Sequence, residues 1–195
     1  MKETFVIATN NPHKLEEISE ILGSIGAEAV GQKEAGISVD PEETGSTFEE
    51  NALIKARAAC RASGLPAIAD DSGLEVKALS GAPGIYSNRW CQGDRIAFLL
   101  SKLQGVEDRR ARFTACAACV FPNGEETVVR GECRGKITLE PHGTGGFGYD
   151  PVFMPDGFDK TFGELPAEVK NSISHRANAL SKLVIKLKER DNADG

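Results

Sequence analysis

The distribution of apolar positions along the chain predicts helices that alternate with strands. Residues 4–8 form a short β-rich run, which a polar segment breaks. Apolar residues then return at helical spacing after Pro12, a residue that favours the first turn of a helix. The positions expected to face the core in this first helix are Leu15, Ile18, Ile21, Leu22 and Ile25.

Three further segments have the same helical spacing. Thr47 and Glu50 form a capping-box pattern, which predicts the start of the second helix, and Gly64 ends it. The third helix is predicted over residues 94–103, and the fourth is the last element of the chain. Their predicted core positions are Phe48, Ala52, Leu53, Ala56 and Cys60; Ile96, Leu99, Leu100 and Leu103; and Ala177, Leu180, Leu183, Val184 and Leu187.

Strands are predicted between these helices. Two short ones cover residues 29–31 and 67–69, and the second is expected to end at Asp70-Asp71, after which Gly73 lets the chain turn away. Two longer strands, over residues 111–121 and 126–137, form a hairpin across a Pro-Asn-Gly turn. The alternation of helices with strands predicts an α/β fold, and the hairpin predicts a mixed sheet.

Length and charge narrow the class of protein. The 195 residues suit a single domain over 1–195 that is built of two lobes, with a frayed tail at 191–195. A net charge of −6 argues against nucleic acid or a membrane surface as a partner, but it leaves an anionic small ligand open. There is no apolar run of the roughly 18 residues that a membrane span needs, and no signal-peptide core at the N-terminus.

The five cysteines are an odd number without a small disulfide framework, which indicates reduced thiols and a cytoplasmic protein. Cys116 and Cys119 have the spacing of a redox or zinc pair. However, they lie inside a predicted strand without a second pair or a nearby His, so we interpret them as small apolar strand residues.

Polar clusters follow the ends of several predicted elements, where functional residues usually collect. Residues 9–14, between a strand and a helix, offer backbone N–H groups, Thr and Asn side chains and a lysine that suit phosphate oxygens. The carboxylates of residues 42–43 and 70–71 suit Mg²⁺, which takes one or two protein carboxylates and completes its shell with water and substrate oxygens.

The fourth and last cluster consists of two pieces, residues 145–150 and residues 170–176. An aromatic in the glycine-rich segment 145–150 suits stacking on a planar base, and Asp, His and Arg side chains suit its hydrogen-bonding edge. Lys170 offers a point charge to another phosphate. Each cluster taken alone also fits a capped helix or a solvated loop, whereas the four together describe a site for a nucleoside triphosphate.

The chain carries six collinear motifs that are recognisable as a set. They are Thr9-Asn10-Asn11-x-x-Lys14, Glu42-Glu43-Thr44-Gly45-x-Thr47-Phe48-x-Glu50-Asn51-Ala52-x-x-Lys55-Ala56, Ala69-Asp70-Asp71-Ser72-Gly73-Leu74, Gly81-Ala82-Pro83-Gly84-Ile85-Tyr86-Ser87, Gly145-Gly146-Phe147-Gly148-Tyr149-Asp150-Pro151 and Ser174-His175-Arg176. Their order and spacing strongly resemble the inosine/xanthosine triphosphate pyrophosphatase family, from Phe5 to about Leu187.

The resemblance implies an elongated mixed β-sheet with flanking helices, two lobes around a central substrate groove, and a homodimer. It implies Mg²⁺-dependent hydrolysis of non-standard purine nucleoside triphosphates (ITP, dITP and XTP) to the monophosphate and pyrophosphate. Such an enzyme cleanses the nucleotide pool and prevents incorporation of these nucleotides into DNA and RNA.

The resemblance also assigns roles to residues. Asp71 matches the general base, and Glu42 and Asp71 match the metal-binding positions. The implied substrate-binding positions are Thr9, Asn10, Asn11, Pro12, His13, Lys14, Lys55, Ser72, Phe147, Gly148, Tyr149, Asp150, Lys170, His175 and Arg176. A donor from Arg176, His175 or a backbone N–H to a 6-keto oxygen would reject adenine, whose 6-amino group lacks that acceptor.

Two alternatives stay open from the sequence. One is a pyrophosphatase of the septum-formation-inhibitor type that acts on other modified nucleotides, although the intact 145–150 and 174–176 pieces argue against it. The other is a purine-nucleotide-binding protein without turnover. It would fit better if Asp71, Glu42 or Lys14 were replaced, and none of them is.

Overall fold

The structure is a computed structural model that describes residues 3–24 and 26–193. One predicted core residue, Ile25, and the last two residues of the predicted tail lie outside the described part. The helices are α1 (Pro12–Gly23), α2 (Phe48–Ser63), α3 (Arg95–Lys102), α4 (Ala167–Ile173) and α5 (His175–Ala193). The strands are β1 (Thr4–Ile7), β2 (Glu28–Gly31), β3 (Ala67–Val76), β4 (Arg110–Val120), β5 (Glu126–Ile137) and β6 (Phe153–Pro155).

The six strands form one sheet in the order β2-β1-β3-β4-β5-β6. Strand β1 pairs in parallel with β2, with Val6 opposite Val30, and in parallel with β3, with Val6 opposite Ala67. Strands β5 and β6 pair antiparallel, with Lys136 opposite Met154. Helices and a sheet with both kinds of pairing confirm the predicted mixed α/β class.

The chain divides into two compact units. Unit 1 contains residues 1–71, 115–131 and 176–195, and unit 2 contains residues 72–114 and 132–175. Strands β3, β4 and β5 contribute residues to both units, because three of the four division points fall within a strand. The fourth lies between His175 and Arg176, at the start of α5.

Unit 1 has its own apolar core, in which α1 and α5 pack with β1, β3 and β4. The buried residues of this core are Phe5, Ile7, Ile18, Leu22, Ile68, Ala115, Ala117, Cys119, Phe121, Ala179, Leu180, Leu183 and Val184. Helix α1 presents Ile18 and Leu22 to it, with Leu15 and Ile21 at its border, as their spacing predicts.

Unit 2 is built around a second apolar core, to which α3 contributes Leu99. Phe113, Phe153 and Phe162 pack together there, with ring centroids 4.5–6.0 Å apart. The sequence patterns missed β6 and α4, which are short elements of 3 and 7 residues.

The prediction that the third strand ends at the acidic pair is wrong. Strand β3 runs for 10 residues through Asp70, Asp71 and Gly73 and ends at Val76. Both carboxylates are buried inside a strand, at 2% and 4% exposure, because cations of other elements lie against them. Gly73 is therefore not a turn residue.

Candidate active site

The β1–α1 junction is held in place by its own side chains. Asn11 caps α1: its Oδ1 accepts from the backbone N–H of His13 at 3.0 Å and of Lys14 at 3.3 Å. Thr9 Oγ1 accepts from the N–H of Asn11 at 3.1 Å. Pro12 occupies the first turn, as expected. Among the N–H groups that the sequence offered to a phosphate, those of His13 and Lys14 are thus already bound to Asn11, and that of Asn11 is bound to Thr9.

Asn10 connects this junction to the segment that leads to Glu42 and Glu43. Its Nδ2 donates to the carbonyl of Val39 at 3.4 Å, and its Oδ1 accepts from Gln32 Nε2 at 3.3 Å. Gln32 Oε1 in turn accepts from the N–H of Val39 at 2.9 Å. The Asn10 side chain therefore links the β1–α1 junction to the chain at Val39.

A buried ion cluster surrounds Asp70 in unit 1. Lys14 Nζ lies 3.3 Å from Asp70 Oδ1, and Arg176 Nε donates to Asp70 Oδ2 at 3.1 Å. The Arg176 guanidinium also donates through Nη1 to Glu17 Oε2. The side chains of Lys14, Asp70 and Arg176 are 7%, 1% and 1% exposed. A charge so deeply buried has to be paired, and here each one has an opposite charge beside it.

Asp71 lies in a second cluster of unit 1, with Lys55 and Glu43. Lys55 Nζ is 3.4 Å from Asp71 Oδ1 and 3.6 Å from Glu43 Oε1. Asp71 Oδ2 is buried and accepts no hydrogen bond from the described residues. Lys55 therefore balances part of the negative charge, while one oxygen of Asp71 is left for a ligand.

The two adjacent carboxyl groups have pKa shifts of opposite sign. Burial raises the pKa of Asp71 to about 6, against the opposing charges of Lys55 and Lys14, with Glu43 and Asp70 raising it further. Burial would also raise the pKa of Asp70, but the charges of Lys14, Arg176 and Lys55 outweigh it and hold that pKa well below its usual range. The charges around Asp70 thus favour its ionised form, whereas burial makes Asp71 the more basic of the two carboxylates.

The donors at Asp71 fit a hard divalent cation. Its Oδ2 is a buried oxygen without a hydrogen-bond partner among the described residues, and Glu42 is exposed and makes no side-chain hydrogen bond or ion pair with them. Mg²⁺ is commonly held by one or two carboxylates together with substrate phosphates and water. Among residues 3–24 and 26–193 no group of three or more His, Cys, Asp or Glu side chains is placed to hold a metal.

In unit 2, the glycine-rich segment forms a compact loop around Asp150. Asp150 Oδ2 accepts from the backbone N–H of Phe147 at 3.0 Å and from Lys170 Nζ at 2.6 Å. Lys170 Nζ also lies 4.7 Å from the centroid of the Phe147 ring. Gly146 is required here: its φ is +66°, and a Cβ would lie 2.1 Å from Asp150 Oδ2. The structure thus brings the two predicted pieces of the fourth cluster together.

The other predicted residues of unit 2 are placed as follows. Tyr149 is buried, and its hydroxyl donates to the carbonyl of Ser87 at 2.8 Å. His175 is 4% exposed and stacks on Phe113, with centroids 4.7 Å apart and the rings 15° from parallel. Ser72 is half-buried in β3, and Gly148 is exposed.

Two residues with contacts in these clusters were not assigned a role from the sequence, and a third, Glu43, was considered only as a carboxylate of the predicted Mg²⁺ cluster. Glu17 binds Arg176, Glu43 binds Lys55, and Ser87 accepts from Tyr149. Glu17 lies in a helix at an ordinary polar position, so its sequence carries no signal for this contact. Glu43 and Ser87 do lie in the quoted motifs, which is the signal that could have found them.

The cysteines confirm the interpretation as apolar strand residues. All five are free, and Cys116 and Cys119 are buried in β4. Burial raises the pKa of the Cys119 thiol to about 12, so it does not form a reactive thiolate near neutral pH.

Within the described part of the chain, none of the helices has the length and apolar character that crossing a membrane requires.

Comparison with known proteins matches this chain to one family. The model of the Ham1 family matches residues 5–186. A curated relative from Agrobacterium fabrum, named dITP/XTP pyrophosphatase, is 44% identical over 93% of this chain and 94% of its own length. These matches confirm the family predicted from the six motifs.

Solved structures agree with the sequence matches. The Ham1 protein of Staphylococcus aureus is 42% identical, with a TM-score of 0.84 over 96% of this chain and all (100%) of that one. A structure described as nucleoside-triphosphatase / dITP/XTP pyrophosphatase, from Mycobacterium abscessus, is 44% identical. Its TM-score is 0.72 over 92% of this chain and 98% of that one.

Proposed function

Because this chain belongs to the Ham1 family, we propose that it is a nucleoside-triphosphate pyrophosphatase that hydrolyses non-standard purine nucleotides such as dITP, ITP and XTP. The products are the nucleoside monophosphate and pyrophosphate. The names of the relatives support the substrate class, and the surroundings of Asp71 support the chemistry.

Asp71 is the proposed general base, and its free oxygen is the observation that carries this assignment. Oδ2 accepts from no donor in the described part of the chain, and a pKa of about 6 leaves the carboxylate mostly ionised at neutral pH while keeping it a useful base. Asp71 orients a water molecule and takes its proton as the water oxygen bonds to phosphorus. The phosphoanhydride bond breaks, and pyrophosphate leaves with the bridging oxygen.

Mg²⁺ is the proposed cofactor, with Glu42 and Asp71 as its protein ligands. The fit rests on the two oxygen donors described above, one buried and unpartnered and the other exposed. When bound, Mg²⁺ neutralises phosphate charge and acts as a Lewis acid toward phosphoryl oxygens.

Lysines of this chain provide further positive charge for the triphosphate. Lys55 is half-buried beside Asp71, which suits a contact with the phosphates, and it restrains the Asp71 carboxylate from one side. Lys14 is more deeply buried and paired with Asp70, so its contribution is the electrostatic potential of a fixed cation. Thr9 to Lys14 and Ser72 stay the proposed partners of the phosphates and sugar.

The base is proposed to lie against the Phe147–Asp150 loop of unit 2, and His175 and Arg176 stay the proposed hydrogen-bond donors to its edge. Phe147 is the ring suited to stacking, and the fixed Asp150 and Lys170 pair keeps its loop in place. A donor to the 6-keto oxygen rejects the 6-amino group of adenine, because a buried donor would then face a donor. We also propose a homodimer, from the family resemblance, and a cytoplasmic location, which the five free cysteines support.

Substitution of Asp71 tests the assignment of the base. Asp71→Asn keeps the shape of the side chain and removes the base, so turnover of ITP with Mg²⁺ should fall by about a thousandfold or more. Asp159→Asn, the same change at an exposed position, is the matched control and should leave turnover unchanged. Full activity of a folded Asp71→Asn protein would refute the assignment.

A further inference from the structure

Ser87 is a buried polar residue that the proposed mechanism does not use. It ends the Gly81–Ser87 motif and is 3% exposed. Its Oγ donates to the carbonyl of Gly84 at 2.6 Å and accepts from the backbone N–H of Leu74 at 2.9 Å. The second bond joins this loop to β3, two residues after Ser72. Ser87 therefore fixes the strand segment that carries a proposed substrate contact.

Gly73 allows the loop and the strand to approach each other closely. A Cβ at position 73 would lie 2.2 Å from the carbonyl oxygen of Gly84 and 2.6 Å from Ser87 Oγ. Real Cβ atoms do not approach other atoms so closely, so only glycine fits between Ser72 and Leu74. The loop is thus packed directly on the strand, and the Ser87 hydrogen bonds define where it lies.

Tyr149 connects the same serine to the loop proposed to hold the base. Its hydroxyl donates to the backbone carbonyl of Ser87 at 2.8 Å, and the residue is 4% exposed. Arg95 lies over the Tyr149 ring, 5.9 Å from its centroid, and donates to the carbonyl of Asn88 at 3.1 Å. Two contacts therefore hold Tyr149 against the chain at residues 87–88.

We propose that Ser87 and Tyr149 are positioning residues that set the spacing between two substrate-contacting segments of unit 2. Ser87 binds the strand after Ser72, and Tyr149 holds the loop of Phe147 and Asp150 to Ser87. This inference rests on the proposed function. It assigns the Tyr149 hydroxyl to Ser87 rather than to the nucleotide, so its effect on substrate selection is indirect.

The Tyr149→Phe variant tests the link while keeping the aromatic ring. Loss of this hydrogen bond releases the loop from Ser87, so we expect the ratio of kcat/KM for dITP to that for dATP to fall about two- to tenfold. The matched control is Tyr86→Phe, because Tyr86 lies in the neighbouring loop, is 54% exposed and makes no side-chain hydrogen bond with the described residues. Its ratio should equal that of the wild type.

A serine pair gives the second comparison. Ser87→Ala removes both hydrogen bonds, whereas Ser101→Ala removes only a bond of the same kind, from Oγ to the carbonyl of Phe98 at 2.6 Å on an exposed helix. The selectivity ratio should fall in Ser87→Ala and stay unchanged in Ser101→Ala. If Ser87 and Tyr149 had a purely structural role, Ser87→Ala and Tyr149→Phe would both have lower thermal stability and an unchanged ratio of kcat/KM for dITP to that for dATP. That result would overturn the proposal.

Amide hydrogen exchange tests the positioning without any turnover. In Tyr149→Phe, exchange should become faster both in peptides covering residues 72–76 and in peptides covering residues 84–88, and Tyr86→Phe should match the wild type. Unchanged exchange in both segments would overturn the inference. Wild-type protein that fails to cleave dITP would instead refute the proposed function, so the two failures are distinguishable.

Discussion

Asp70 and Asp71 follow each other along β3, yet their carboxylates have different partners and opposite pKa shifts. Asp70 is bound by Lys14 at 3.3 Å and Arg176 at 3.1 Å. Asp71 has Lys55 at 3.4 Å on one oxygen, and its other oxygen has no hydrogen-bond partner among residues 3–24 and 26–193. Because consecutive side chains of a strand point to opposite faces, one backbone segment supplies both a fixed anion and a titrating base.

The raised pKa of Asp71 predicts that its ionised carboxylate lowers the free energy of unfolding of the wild type. Between the ordinary carboxyl pKa and about 6, the folded protein binds more protons here than the unfolded chain, so stability falls as pH rises through that window. Without Mg²⁺, Asp71→Asn should therefore be more stable than the wild type at pH 8, by about 1–3 kcal/mol. Urea unfolding measures this difference. It should shrink toward pH 4, and a pH-independent difference would contradict the account.

Asp70→Asn should have the opposite effect. The folded-state pKa of Asp70 is lowered, so its stabilising contribution is present above the ordinary carboxyl pKa and is lost only as pH falls below it. At pH 7 the substitution leaves Lys14 and Arg176 buried without their shared carboxylate, at a cost of about 3–5 kcal/mol. The same unfolding experiment measures it, with Asp159→Asn as a control that should change stability by less than about 0.5 kcal/mol.

Glu42 and Glu43 are neighbours with different expected roles: Glu42 is the proposed Mg²⁺ ligand, whereas Glu43 pairs with Lys55 beside Asp71. Glu42→Gln should weaken Mg²⁺ binding about tenfold or more, as measured by titration calorimetry on the protein without nucleotide. Glu43 binds Lys55, and its charge contributes to the raised pKa of Asp71. Glu43→Gln should thus lower the pKa of Asp71, seen by NMR titration, and change Mg²⁺ affinity less. The reverse order of Mg²⁺ affinities would transfer the ligand role to Glu43.

The periodic parts of the fold were predictable from the sequence. The core positions Ile18, Leu22, Leu99 and Leu180 are buried as their spacing predicts, and Asn11, although not predicted to do so, caps α1 beside the predicted Pro12. These features depend on local sequence, so a pattern within one segment is enough to reveal them.

The continuation of β3 through Asp70 and Asp71 could not be predicted in the same way. A pair of carboxylates ordinarily ends a buried strand, and here Lys14, Lys55 and Arg176 reverse that tendency from other elements. The pairing of Arg176 with Glu17 joins residues 159 positions apart, and no local pattern encodes it. Side-chain partners of this kind become visible only once the tertiary fold is known.

The motifs indicated which segments form the candidate site, but they did not indicate the role of each residue within those segments. Asn10, Asn11 and Tyr149 belong to predicted binding motifs, yet the contacts that the structure gives them are structural hydrogen bonds to Val39, to the first turn of α1 and to Ser87. A motif gives residue types and order. It does not separate residues that contact a ligand from residues that hold those contacts in place.

The most direct test of the central claim is the substrate preference of the purified protein with Mg²⁺. Initial rates for dITP, ITP, XTP, GTP and ATP should be measured together with the phosphate product, by ³¹P NMR or ion chromatography. The account predicts pyrophosphate and monophosphate from dITP, ITP and XTP, with kcat/KM about 10⁴-fold above that for ATP. Orthophosphate as the product, or equal rates for ITP and ATP, would contradict it.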